Sequence, residues 1–109
     1  MNKLQADFPC LFHAVDSMPG EGWEPLLRRL SERLTARIQA ERSPQDYYAV
    51  QVKEKFGGLR FYMSQYTDEM GELIRDAEAE SRRTCETCGA PGKIMAKRSW
   101  LKAACEKHA

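Results

Sequence analysis

Four residues near the C-terminus carry the clearest chemistry in this chain. Cys85-Glu86-Thr87-Cys88 and Cys105-Glu106-Lys107-His108 are two ligand pairs, each spaced by two residues and separated by sixteen. Thiolate and imidazole suit a borderline-soft ion, and two such pairs fill a tetrahedron. The spacing falls within the range of zinc ribbons and related fingers, so Cys85, Cys88, Cys105 and His108 are the expected ligands of a zinc ion. Gly89, directly after Cys88, suits the turn that aims both sulfurs inward. With all four positions filled by protein no site is left for water, which makes the expected zinc structural rather than catalytic. A second Cys-x-x-His pair, Cys10-Leu11-Phe12-His13, keeps another ligand set open. Its apolar neighbours favour Cys10 as a small buried hydrophobe and His13 at a core edge.

The elements that must position these ligands come from a chain of 109 residues, 42% hydrophobic and 30% charged, which is one domain's worth. Leu26, Leu27, Leu30, Leu34 and Ile38 recur at three- and four-residue intervals and predict a helix from about Trp23 to Glu41. Pro25 suits its first turn, and Ser43-Pro44 ends it. Arg29, Arg33 and Arg37 line one edge of its apolar face, either as a wet boundary or as a phosphate- or partner-binding stripe. Tyr47 to Lys55 and Leu59 to Ser64 alternate and are rich in β-formers; Phe56-Gly57-Gly58 between them predicts a tight hairpin. Two strands alone are marginal, so the long helix is expected to pack on their apolar face. Thr67 or Asp68 can cap a second helix whose buried stripe is Met70, Leu73, Ile74 and Ala77. Its outer face is acidic, with Glu69, Glu72, Asp76 and Glu80.

Residues 8–15 form an apolar patch too short to divide between strand and helical turn by periodicity. Lys93 to Arg98 and then Trp100-Leu101 read as a return path with an apolar lid over the ligands. The expected fold is therefore α+β: a long helix packed on a β-hairpin, a second helix, and a C-terminal zinc knuckle or ribbon. Residues 1–83 make the body and 84–109 the zinc module packed on it, one compact domain in all.

Charge is divided unevenly. Residues 1–81 carry ten Lys/Arg against fourteen Asp/Glu, and residues 82–109 carry seven against two, for a net of +1 overall. That balance gives no whole-molecule attraction to phosphate or membrane. No apolar run reaches the ~18 residues of a membrane helix, and the polar start Met1 to Asp7 is a poor signal peptide. A cytoplasmic, reducing compartment is expected, which favours metal over disulfide. There is no phosphate-cradling Gly-rich loop, no nucleophile elbow and no His-Glu-x-x-His helix, so no catalytic residues and no enzyme activity are expected.

The segments Gly22-Trp23, Val50 to Tyr62 (VQVKEKFGGLRFY) and Cys85-x-x-Cys88-Gly89-Ala90-Pro91-Gly92 to Cys105-x-x-His108 give the chain a resemblance. From about Gly20 to the end it resembles a family of small bacterial and prophage proteins. Such proteins often carry a Cys shortly before the Gly-x-Gly-Trp segment, where this chain has Met18 and Pro19, so any role of that Cys is absent or moved to Cys10. The resemblance implies no particular activity; a prophage setting implies a host-directed binding protein, such as an inhibitor of a defence nuclease. The residues themselves point to binding. Lys53, Lys55, Phe56 and Arg60 around the hairpin tip, flanked by Tyr62 and Tyr66, are the expected surface for a protein partner, since aromatic and Arg side chains anchor interfaces. The alternative is a nucleic-acid-binding module using the basic tail of Arg82, Arg83, Lys93, Lys97, Arg98, Lys102 and Lys107, with Trp100 for stacking.

Overall fold

The computed structural model describes residues 3–97 and 100–109, so Arg98 of the basic tail lies outside the described residues. In chain order the elements are α1 (Lys3–Asp7), α2 (Pro9–Phe12), α3 (Glu24–Gln39), β1 (Ala49–Lys55), β2 (Gly58–Met63), α4 (Asp68–Ser81), β3 (Lys93–Lys97) and β4 (Trp100–Ala104). Short 3-10 turns at Glu21–Trp23, Pro44–Asp46 and Glu106–His108 join or end them. The class is α+β as expected, with helices and two separate antiparallel hairpins, β1–β2 and β3–β4.

The α3 apolar face is buried along its whole length, from Leu26 to Ile38. It shares one core with Val52, Leu59 and Phe61 of the first hairpin and with Met70, Ile74 and Ala77 of α4. Helix α4 lies between the two, alongside both α3 and β2. Thr67 caps α4, its hydroxyl accepting from the Met70 N–H at 3.3 Å. The N-terminal patch proves helical: Pro9 opens α2, and Leu4, Leu11, Phe12 and Val15 plug the core. Phe12 meets Phe61 edge-on, with ring centroids 6.2 Å apart.

In β1–β2, Lys55 pairs with Gly58, leaving Phe56-Gly57 as a two-residue turn with φ of 54° and 86°. The left-handed residues are thus Phe56 and Gly57, and Gly58 belongs to the strand. The register slips between Ala49 and Gln51, which makes Val50 the extra residue of a bulge and turns it to solvent.

The described part of the expected return path differs from the expectation. Lys93–Lys97 and Trp100–Ala104 pair as antiparallel strands in which Ile94 faces Ala103 and Lys93 faces Ala104. Trp100 and Leu101 are exposed, so they are no lid.

Candidate metal centre

Cys85 follows α4 after a short connection, and the backbone shapes the loop around it. The Cys85 N–H donates to the Ala90 carbonyl at 2.9 Å, and the Gly89 N–H donates back to the Cys85 carbonyl at 2.8 Å. Gly89 sits at φ 83°, the conformation that closes this loop. Cys105 ends the β4 side and precedes the 3-10 turn that carries His108, whose N–H donates to the Cys105 carbonyl at 3.1 Å.

These two turns bring the four expected ligands together. The Cys85 sulfur lies 3.6 Å from His108 Nδ1, the Cys105 sulfur 3.2 Å from the same nitrogen, and the Cys88 and Cys105 sulfurs are 3.7 Å apart. All four ligand atoms fall within 4.8 Å of one another, so the group could hold a metal ion. Cys85 is fully buried, Cys88 exposed, and Cys105 and His108 intermediate. Burial opposes ionisation of Cys85, but backbone N–H groups of Cys105, Cys88 and Thr87 outweigh it and lower the thiol to about 6. At Cys88 the Ala90 N–H pulls the thiol down, yet burial and the neighbouring Cys105 and Cys85 sulfurs leave it raised.

Cys10 and His13 stand apart from this cluster. Cys10 is an exposed free thiol rather than a buried hydrophobe, because α2 turns Leu11 and Phe12 inward instead. The exposed His13 ring rests on Tyr48 with centroids 4.7 Å apart.

What docks the cluster on the body is the segment before α3. Gly22 N–H donates to the Glu86 carbonyl at 2.7 Å, Gly20 N–H to the Glu86 carboxylate at 2.9 Å, and the Trp23 indole N–H to the Thr84 carbonyl at 2.9 Å. Glu86 N–H in turn donates to the Ala103 carbonyl at 3.0 Å, joining the Cys loop to the second hairpin. A Cβ on Gly22 would fall 2.1 Å from the Cys85 carbonyl oxygen, so only glycine fits there. Local sequence pattern does not mark Glu86 as the residue that seats this loop. The available signal was the Gly-x-Gly pair directly before a Trp.

The expected partner surface divides. Lys53, Lys55, Arg60 and Tyr62 share the solvent face of the first hairpin, with Lys53 directly opposite Arg60. Lys53 Nζ lies 5.9 Å from the Tyr62 ring centroid and Lys55 Nζ 5.6 Å from that of Phe56. Phe56 is 68% exposed and reaches towards the second hairpin, where it lines a shallow pocket with Glu54, Lys55, Trp100 and Leu101. Tyr66, 59% exposed, lies instead towards α4, with one ring edge 3.2 Å from where a Gly71 Cβ would be.

The arginine stripe of α3 is occupied by carboxylates: Arg37 pairs with Glu69 at 2.9 Å, and Arg29 pairs with Glu80. That leaves two of its three members unavailable as a phosphate site. In the basic tail Arg82, Arg83, Lys93 and Lys107 are exposed and Lys102 is half-buried. Among the described residues no helix is long and apolar enough to cross a membrane. The chain matches no protein-family model, no curated protein and no solved structure.

Proposed function

We propose that Cys85, Cys88, Cys105 and His108 hold a structural zinc ion, and that the protein acts by binding a protein partner rather than by catalysis. Tetrahedral zinc with thiolate and imidazole ligands needs S···S separations of about 3.8 Å and S···N separations of about 3.6 Å. The 3.7 Å and 3.6 Å separations in the cluster fit that requirement, and the 3.2 Å one needs only a small opening of the Cys105–His108 turn. When bound, the ion would cross-link the two turns and hold the loop at Cys85 against Gly22. Three thiolate ligands also favour a reducing compartment such as the cytoplasm.

The observation that carries the binding reading is that Phe56 and Trp100 line one surface pocket. These rings come from different hairpins and are 68% and 66% exposed. Large aromatics gathered from separate elements and left uncovered mark an interaction surface. The prophage resemblance adds a host defence protein as the proposed partner.

Immobilised protein and its Phe56→Ala/Trp100→Ala variant, both zinc-loaded, test this in a pull-down from bacterial lysate. Retention of one protein by the wild type and its loss by the folded double variant is expected. Equal retention by both, or recovery of material absorbing at 260 nm instead of protein, would sink the reading.

A further inference from the structure

The face of the first hairpin that points away from the core gathers positive charge. The register sets Lys55 beside Gly58, Lys53 beside Arg60 and Gln51 beside Tyr62, so these side chains share that face, and none is an acid. Arg82, just after α4, folds over the end where Gly58 leaves the backbone bare. A Cβ on Gly58 would lie 3.2 Å from Arg82 Nε and 3.7 Å from Arg60 Nη1. Two guanidinium groups thus converge where a side chain would part them. Lys55 and Arg82 are exposed, and Lys53 and Arg60 are half-buried. Among the described residues none of these four cations forms a salt bridge. The residues outside that set, Met1, Asn2, Arg98 and Ser99, include no acid.

We propose that this face docks an acidic segment of a protein partner, its carboxylates on Lys53, Lys55, Arg60 and Arg82 and a neighbouring apolar side chain in the pocket of Phe56 and Trp100. This rests on the protein-binding reading above and names the chemistry of the partner. Charge selects the acidic segment. Like charges directly opposite one another destabilise a pair of strands, and Lys53 with Arg60 is such a pair. Both are partly buried, where salt screens charge less, so an incoming carboxylate gains more there than beside a fully wet lysine. A guanidinium can hold a carboxylate by two parallel hydrogen bonds. Arg60 has committed one N–H, to the Leu59 carbonyl at 3.2 Å, and among the described residues the Arg82 side chain has committed none. Lys55 joins the two parts of the surface, since it lines the aromatic pocket as well. Tyr62, 42% exposed beside Lys53, supplies an aromatic anchor at the other end.

A nucleic acid fits less well. The cations cover only two cross-strand pairs, which suits a short run of carboxylates. Acids bound them: Glu54 lines the aromatic pocket, and α4, beside β2, exposes Glu69, Glu72 and Asp76. These oppose a longer polyanion.

The probe is an acetylated peptide Glu-Asp-Glu-Glu-Leu-Phe amide, added at low salt to the zinc-loaded full chain. Binding should shift the Lys53 and Arg60 amide signals and weaken as salt rises. Lys53→Gln/Arg60→Gln removes the like-charge pair, so the variant should keep its zinc and melt no lower than the wild type. It should nevertheless bind the peptide about ten-fold or more weaker. Arg82→Gln, at an exposed side chain, should weaken binding in the same direction. Lys53→Glu/Arg60→Glu should prefer a counterpart peptide with Lys in place of each acid. No binding of the acidic peptide by the wild type would overturn the inference, as would equal affinity in the folded Gln variants. Tighter binding of a thymidine oligonucleotide than of the peptide would also count against it. If a pulled-down partner depends on Phe56 and Trp100 but is retained equally by Lys53→Gln/Arg60→Gln, the protein-binding reading stands and the acidic segment is wrong. If the peptide binds as expected while no retained protein depends on Phe56 and Trp100, the basic face stands and the aromatic pocket does not.

Discussion

The two hairpins of this protein are held in place by different forces. The first buries Val52, Leu59 and Phe61 against the helices and has one edge capped by α4. The second contributes chiefly the small Ala103 and Ala104, with Ile94 at the margin, and is tied on through Glu86 and the Cys/His cluster. Apolar burial follows side-chain size, at roughly 25 cal/mol per Å², so alanines anchor a strand weakly. The first hairpin therefore stands on its core, and the second depends on hydrogen bonds and on whatever joins the four ligands. The tip of the first also leans on the second: a Cβ on Gly57 would lie 2.9 Å from Ile94 Cδ1 and 3.2 Å from the Lys102 nitrogen.

Metal removal should separate the two hairpins most sharply. Structural zinc in small domains contributes apparent binding energy on the order of 10 kcal/mol. Chelation, or Cys85→Ser, should melt residues 84–109 while the first hairpin and its helices stay folded. Metal analysis should give one zinc per chain before treatment and none after. The Trp23 indole, which is buried and bonded to the Thr84 carbonyl, reports the event through a red-shifted emission. Unchanged zinc content and unchanged melting in Cys85→Ser would break the comparison at its root.

Gly22→Ala comes next. The new methyl would collide with backbone at Cys85 and Glu86 rather than with a side chain that can swing away. A loss of about 3 kcal/mol is expected, the upper range for overpacking. It should appear with weakened zinc retention, because the same contact seats the ligand loop. Ser81→Ala tests the other hairpin. Its hydroxyl accepts from Leu59 N–H and donates to the Glu78 carbonyl at 2.6 Å, and its loss leaves a buried strand amide unpaired. That should cost about 2 kcal/mol in denaturant unfolding with zinc content untouched.

The same division decided what the sequence could reveal. Leu26 to Ile38 and Met70 to Ala77 show their helices by period, and Leu59, Phe61 and Met63 show their strand by alternation, since burial by large side chains leaves a pattern. The Cys/His cluster was legible for another reason: Cys and His at fixed spacing have few other uses. The second hairpin left neither signal. Ile94, Met95 and Ala96 run together without alternation, and Ala103 and Ala104 are too small to mark a face. Gly20, Gly22 and Glu86 act through hydrogen bonds between segments more than sixty residues apart, which no local pattern records. Cys10 looked buried because its neighbours are apolar, but a one-turn helix cannot hide every side chain.

The smallest effect sits at the tip, and it has the opposite sign. Phe56 holds φ 54°, a left-handed conformation that costs a residue with a Cβ about 1–2 kcal/mol and costs glycine almost nothing. Its ring offers little in return to the fold, being 68% exposed. Phe56→Gly places glycine where the turn prefers it, and the gain is partly offset by the extra freedom of glycine in the unfolded chain. A net stabilisation of about 0.5 kcal/mol is expected in urea unfolding, together with loss of the retained partner in the pull-down. On the proposed reading, the strained and exposed ring serves contacts outside the chain. If Phe56→Gly instead destabilised the first hairpin, the ring would be supporting the fold after all, and the tip would lose its standing as a binding element.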